Sequence, residues 1–353
     1  MLLPTGLTTP YLLVDLDVLD ANVAAMAALA DRLGLQLRPH AKTHKCLPVA
    51  ARQLAAGACG LTVATIAEAE VFAAICDDLF IAYPLWVDEA RGRRLQAVAE
   101  RVRRLAVGLD SAEAARALAR HLGPGLDVLV EVDSGHRRSG VVPGEAGRVA
   151  AAAARAGLSV RGVFTFPGHA YSPGAMAPAA VGEAVAISRA VDALRAAGLA
   201  VEVRSGGSTP SAAATVPEAL TELRPGVYVF GDSQQLELGT ADLDGIALVA
   251  VGTVVSRYAD RVILDAGSKV LGADRAPWAT GFGTVPAAPR ARVIGLSEHH
   301  ANVHWPDPPA LGAQVAVVPN HVCAAVNLAD ELVVARGGAV VDRWRVAARG
   351  ANT

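Results

Sequence analysis

The chain has 353 residues, 52% of them hydrophobic and 19% charged, with a formal net charge of -2 and an isoelectric point near 6.5. This length and apolar content predict two domains, or a barrel with an appendage, around a large buried core. The near-neutral charge gives no electrostatic reason to expect nucleic acid or an anionic membrane as partner, and no apolar run reaches the roughly 18 residues of a membrane span.

A strand at 12–16 and a helix at about 18–33 open the chain. Short apolar runs follow at 36–41, 60–65, 78–83, 104–109, 126–132, 160–166, 202–206 and 222–230. Alanine-rich amphipathic stretches, such as 66–76, 111–121, 145–156 and 178–197, separate most of them. Strands that are apolar on both faces and alternate with helices predict a parallel sheet. Eight units fit a closed (β/α)8 barrel over 18–233, with an open doubly wound sheet as the alternative. Beyond 233 the pattern changes to strand-like runs at 246–256, 261–265, 290–296, 313–318, 331–335 and 339–347. They predict a smaller β domain made of 1–17 plus 234–353, with the 12–16 strand paired into it. The N-terminus lacks the pattern of a signal peptide. The four cysteines (Cys46, Cys59, Cys76, Cys323) form no CxxC pair, so reduced thiols and a cytoplasmic location are expected.

In such a barrel the chemistry sits at the C-terminal ends of the strands. Polar and glycine-rich clusters recur there: Arg38 to Lys45, Asp133 to Gly140, Pro167 to Tyr171, Ser205 to Pro210 and Arg224 to Tyr228. Strand ends are also loops, and loops are polar anyway, but five clusters in one register exceed what loops require. Lys42 is the sharpest feature. It leaves an apolar strand among His40, His44 and Arg38, and both positive neighbours and partial desolvation favour a neutral, nucleophilic amine. The alternative is a surface lysine, and Lys45, expected inside the following helix, is the rival nucleophile. Ser205-Gly206-Gly207-Ser208-Thr209 is expected to open a helix, where backbone N–H groups bind phosphate. A GGST run is otherwise an ordinary turn. Arg138 is a candidate donor to a cofactor oxygen, or else a capping arginine.

Downstream, His321 and Cys323 stand two residues apart. In an extended segment they project to one face and can supply two positions of a tetrahedral zinc site. The bland reading is a buried cysteine beside a polar histidine. Glu298, His299, His300 and His304 are further candidate ligands or acids, or a polar loop.

These motifs resemble the fold-type III pyridoxal-phosphate enzymes related to alanine racemase, and within them the branch holding D-threonine aldolase and metal-activated D-serine dehydratase. The resemblance runs from Thr9-Pro10-Tyr11 through RPHAKTHK (38–45), Asp133 to Gly140, SGGSTP (205–210), ELRPGVYVFGD (222–232), DAGSKVL (265–271) and NHVC (320–323). It implies an alanine-racemase-like fold, covalent attachment of pyridoxal phosphate to Lys42, Arg138 facing the ring, and Gly206, Gly207, Ser208, Thr209, Gly226 and Tyr228 around the phosphate. His40 and Tyr171 complete the expected cofactor set. It further implies a homodimer with the active site at its interface. The aldolases of this branch look like His-x-Asp where this chain has His321 and Cys323, whereas the dehydratases look like His-x-Cys. Glu298-His299-His300-Ala301 stands where relatives often carry Glu-Glu-His-Gly, which puts the acid–base set in doubt.

The leading expectation is β-elimination on a D-3-hydroxy amino acid by a pyridoxal-phosphate- and metal-dependent lyase, the metal being zinc or else manganese. Retro-aldol cleavage, with His169 as a base, is the alternative. Racemisation needs no metal, and a non-catalytic pyridoxal-phosphate carrier usually lacks the β domain.

Overall fold

The structure, a computed structural model, describes residues 1–353 and comprises two compact units. One holds Met26–Lys42, Ala50–Gly226 and Ala351–Thr353, and the other holds Met1–Ala25, Thr43–Val49 and Val227–Gly350. The chain begins with β1 (Tyr11–Asp15) and α1 (Leu16–Arg32).

The larger unit is built on eight parallel strands: β2 (Gln36–Leu37), β3 (Leu61–Val63), β4 (Asp78–Ile81), β5 (Arg104–Leu109), β6 (Asp127–Glu131), β7 (Ser159–Phe164), β8 (Val203–Gly206) and β9 (Glu222–Leu223). Their order is β2-β9-β8-β7-β6-β5-β4-β3. A bridge between His40 and Thr62 joins the two ends, with Cys59 and Thr62 donating their amides to Leu37 and Pro39 at 2.9 Å. The sheet therefore closes, and the doubly wound alternative falls. Two expected strands are cut short: Pro39 and Pro225 bring no amide N–H to the ladder, so β2 and β9 stop early.

Helices α2 (Leu47–Ala55), α3 (Ile66–Phe72), α4 (Glu89–Ala99), α5 (Ala112–Leu122), α6 (Ala146–Arg155) and α7 (Met176–Ala196) alternate with these strands. Local signals start them. Thr65 Oγ1 caps α3 by accepting the Glu68 amide while Glu68 accepts the Ala64 amide, and Ser111 Oγ caps α5. The small residues serve close packing: a Cβ on Gly147 would meet the Ala193 carbonyl oxygen of α7 at 2.2 Å.

Inside the barrel, Phe80, Ala106, Leu129 and Phe164 form one cluster, with the two phenylalanines edge to face at 5.0 Å. Gly108 leaves the room this needs, since a Cβ there would stand 2.6 Å from Phe164. Arg38 also points into this interior. It bonds Asp78 at 2.8 Å and Glu222 at 2.9 Å, both buried. That corrects its expected role as a positive neighbour of Lys42: two carboxylates at the starts of β4 and β9 hold it.

The other unit contains α8 (Ser233–Leu238), β10 (Leu248–Arg257), β11 (Arg261–Leu264), α9 (Ser268–Leu271), β12 (Gly283–Thr284), β13 (Arg292–Leu296), β14 (Ala301–His304), β15 (Gln314–Pro319), α10 (Val322–Leu328), β16 (Glu331–Arg336) and β17 (Ala339–Arg345). As expected, β1 joins this sheet, antiparallel to β10 and parallel to β16. β10 pairs with β1 and β15 along its first part, then passes a bulge at Val254–Ser256 to pair with β11. Leu13, Val249, Val251, Val318 and Val333 form its core. The short helices α8, α9 and α10, and strands β12 and β14, were not expected: each is too brief to establish a period. No helix of the chain is long and apolar enough to cross a membrane.

Candidate active site

At the C-terminal ends of the barrel strands, Lys42 lies in a 3-10 turn, Ala41–Thr43, that follows the Pro39-His40 break. Its amide faces His40 Nδ1 at 3.4 Å, and its Nζ lies 5.5 Å from the centroid of Phe166. Phe166 was not singled out by sequence reasoning, yet it organises this end of the barrel. Arg138 stands 5.0 Å from its centroid, His136 packs edge-on at 5.7 Å, and Tyr171 lies 6.2 Å away. Four predicted or neighbouring site residues thus gather on one ring. The only sequence signal was position, since Phe166 stands two residues past the end of β7 and precedes Pro167.

Two loops interleave here. A Cβ on Gly168 would meet His136 Nε2 at 2.6 Å, and one on Gly135 would meet His169 Cε1 at 3.3 Å. Asp133 shapes the first loop by accepting the amides of Gly135 and Arg137 at 2.8 and 3.0 Å. Burial works against its charge, but those amides and the His136 charge outweigh burial and hold its carboxyl below the usual range. His136 moves the other way: burial first, then the charges of Arg138 and His169, lower its pKa and favour the neutral imidazole at pH 7. His136 is a second site residue that sequence reasoning named only as part of a cluster.

The Ser205–Thr209 run departs from expectation. It leads into a short 3-10 turn, Ala212–Ala214, and not into a helix, so no helix dipole stands behind it. The Gly207 amide is given to Glu183 Oε1 at 2.8 Å, and the Ser208 amide to Ser211 Oγ at 3.1 Å. Glu183, on α7, is buried, and burial pushes its carboxyl up to about 7. Gly226 follows Pro225 in the coil after β9, and Tyr228 is buried in the 3-10 turn Val227–Val229. Arg224, too, was named only as part of a cluster. It is buried, donates to the Thr165 carbonyl, and lies over Phe80 and Phe164.

Do these residues fit pyridoxal phosphate? Ser205 Oγ, His169 Nδ1 and Arg224 Nε are buried with no hydrogen-bond partner within the protein. Buried polar atoms are ordinarily paired. Three such atoms at or near the ends of β7, β8 and β9, with an amine and a guanidinium flanking an aromatic ring, fit a polar, anionic, ring-bearing ligand.

The second group lies in the other unit. His321 and Cys323 are not in a strand, which corrects the extended geometry expected for them. His321 is the N-cap of α10 and Cys323 its second residue, because the backbone turns helical after β15. The two side chains still meet. The Cys323 charge first, and hydrogen bonds to Asp232 and Cys323 besides, hold the His321 imidazole well above its ordinary pKa against burial. Cys323 Sγ lies 3.4 Å from Thr43 Oγ1, and Thr43 follows Lys42 in the chain. Imidazole with thiolate is a zinc-type donor set. No three His, Cys, Asp or Glu side chains gather as metal ligands, so the fit is to two protein ligands with further positions left to water or substrate. Glu298 and His299 lie instead around exposed Lys269, at 2.6 and 3.5 Å, and His304 is exposed on β14. Lys45 is also corrected. It precedes α2 with φ 50°, and its Nζ donates to Asn327 Oδ1 at 2.7 Å.

Residues 14–234 match the family described as alanine racemase, N-terminal domain, and 247–335 match a putative serine dehydratase domain. The chain is 36% identical over 351 residues to D-threo-3-hydroxyaspartate dehydratase of Delftia sp. (strain HT23), covering 90% of this chain and 91% of that one. It is similar to the crystal structure of D-threonine aldolase from Filomicrobium marinum, with TM-score 0.88, 31% identity, and 98% and 97% of the two chains covered. It is equally similar to a cysteine-to-alanine mutant of D-threo-3-hydroxyaspartate dehydratase described in the metal-free form, with TM-score 0.88, 32% identity and coverage of 96% and 97%.

Proposed function

The chain belongs to the alanine-racemase-like, fold-type III family of pyridoxal-phosphate enzymes, and from that premise we propose that it is a metal-dependent lyase eliminating the β-hydroxyl of a D-3-hydroxy amino acid, leaving a keto acid and ammonia. Lys42 holds the cofactor covalently, with His40, Arg138, Tyr171, Gly206, Gly207, Ser208, Thr209, Gly226 and Tyr228 around it. His321 and Cys323 hold a divalent metal, zinc by the softness of the thiolate. When bound, pyridoxal phosphate supplies an electron sink that acidifies the substrate α-hydrogen, and the metal supplies a Lewis acid for the hydroxyl.

The protein's own part is proton handling and positioning. Lys42 would be the amine placed to take the α-proton. Arg138 and Phe166, 5.0 Å apart from guanidinium to ring centroid, would flank the cofactor. His136, favoured neutral, is one nearby group able to accept a proton. A homodimer is the assembly proposed, and four cysteines that form no disulfide suit a reducing, cytoplasmic setting.

The observation that carries elimination over cleavage is the His321–Cys323 pair at the start of α10. Retro-aldol cleavage is the second reading, favoured by the buried, unpartnered Nδ1 of His169, which suits a base for a substrate hydroxyl. The test is product analysis with D-serine, D-threonine and D-threo-3-hydroxyaspartate, supplied with pyridoxal phosphate and zinc or manganese. Keto acid and ammonia, lost on chelation, support elimination. Glycine and an aldehyde overturn it in favour of cleavage.

A further inference from the structure

We propose that Asp232 is a positioning residue for His321: its carboxylate takes the Nδ1–H of the imidazole and so leaves Nε2 as the nitrogen that binds a divalent cation. The inference rests on the reading above that His321 and Cys323 hold a metal.

Asp232 is completely buried, and its ion-pair partner is His321, with Oδ2 3.3 Å from Nδ1. Its two oxygens are divided between two helices. Oδ1 accepts the Gln235 amide at 2.9 Å and caps α8. Oδ2 accepts the Val322 amide at 3.3 Å, at the first position of α10, beside the contact with His321. The backbone fixes the carboxylate further. Gly231 takes φ +66°, a region L side chains rarely adopt, and a Cβ there would meet Ile246 Cδ1 at 2.7 Å. The Asn320 carbonyl accepts the Gln234 amide at 3.3 Å, a second tie between the start of α8 and the residue before His321.

An ordinary N-cap needs one acceptor. Here a buried carboxylate uses its second oxygen on a histidine whose own backbone starts the next helix. A neutral imidazole carries one proton, and the nitrogen facing a carboxylate keeps it. A carboxylate behind a metal-binding histidine fixes the tautomer and ring orientation and raises ligand basicity. Asp232 therefore does for His321 what no helix cap requires.

The test compares wild type with Asp232→Asn, Asp232→Ser and His321→Ala, each loaded with pyridoxal phosphate. Zinc affinity is read by competition with a chromophoric chelator. Asparagine is isosteric but must either turn its NH2 toward His321 and Val322 or surrender the α8 cap. Serine keeps an N-cap oxygen but is too short to reach His321. Thermal melts and circular dichroism establish that each variant folds. The expected result is zinc binding weakened about 10- to 100-fold in both Asp232 variants, and by at least as much in His321→Ala. Long-range 1H–15N correlation of the nine histidines, with His321 assigned by its absence in the alanine variant, supplies a readout that a purely structural role would not move. In the zinc-loaded wild type Nδ1 carries the proton, and in Asp232→Asn that signature is lost. Loss of zinc in His321→Ala with wild-type affinity in both Asp232 variants overturns the positioning role and leaves the metal reading standing. Wild-type zinc affinity in His321→Ala overturns the metal reading, and this inference with it.

Discussion

Oε1 of the buried Glu183 accepts the amide of Gly207 at 2.8 Å, which places a titratable carboxyl of α7 against the glycine pair after β8. A Cβ on Gly206 would meet the same oxygen at 2.5 Å, so the glycine pair and the carboxyl pack as one unit. Burial raises the Glu183 pKa from 4.5 to about 7. A carboxyl raised in the folded state contributes stability that is full below the unfolded value and is lost as pH climbs through the folded one. The window is therefore pH 4.5 to about 7, and the loss is ~3 kcal/mol. Glu183→Gln keeps an oxygen for Gly207 and does not titrate. Its melting temperature, compared with wild type from pH 5 to pH 8, is expected to gain on wild type up to about pH 7 and then hold level. A constant difference would refute the coupling.

Phe166 carries Lys42, Arg138, His136 and Tyr171 around one ring. Cation–π contacts of this kind contribute about 0.5–2 kcal/mol. Phe166→Leu is predicted to weaken cofactor binding by about 2- to 30-fold, measured by titrating the cofactor-free protein with pyridoxal phosphate. Unchanged affinity would show the ring to be mere packing.

Gly168 sits where a methyl group would stand 2.6 Å from His136 Nε2, while Gly144 has nothing within 4 Å of an added Cβ. Gly168→Ala must displace the His136 ring, at a cost of about 1–3 kcal/mol if the loop cannot relax. Turnover is expected to fall on the order of tenfold or more in Gly168→Ala and to stay unchanged in Gly144→Ala. Equal behaviour of the two would remove His136 from the site.

Arg38 holds Asp78 and Glu222 inside the barrel. Arg38→Met would take the buried partner from Glu222 and leave Asp78 only the longer contacts to Arg103 and Arg104 at 3.8 and 3.6 Å, and breaking such a buried pair costs about 3–5 kcal/mol. Chemical denaturation is expected to report a loss of that size. A loss below about 1 kcal/mol would mean that water already reaches the pair.

Much of this was legible in the sequence because it depends on periods. The eight barrel units and the joining of the first strand to the β-rich part of the chain follow from apolar runs that tertiary packing has no reason to override. What depends on direction was not legible. Arg38 stands four residues before Lys42, yet it turns into the barrel because Asp78 and Glu222 wait there. His321 and Cys323 meet at a helix start and not along a strand, because seven residues of helix leave no periodic trace. Asp232 stood in the sequence only as the end of ELRPGVYVFGD (222–232): its role appears only once α8 and α10 begin at the same carboxylate.

Borohydride reduction asks whether Lys42 carries the cofactor. Reduction fixes pyridoxal phosphate irreversibly to the lysine that bears it, and peptide mapping by mass spectrometry then locates the pyridoxyl group. The label is expected on Lys42 alone, with Lys45, bonded to Asn327, unlabelled. A label on Lys45, or a protein that retains the cofactor and labels nowhere, would contradict it.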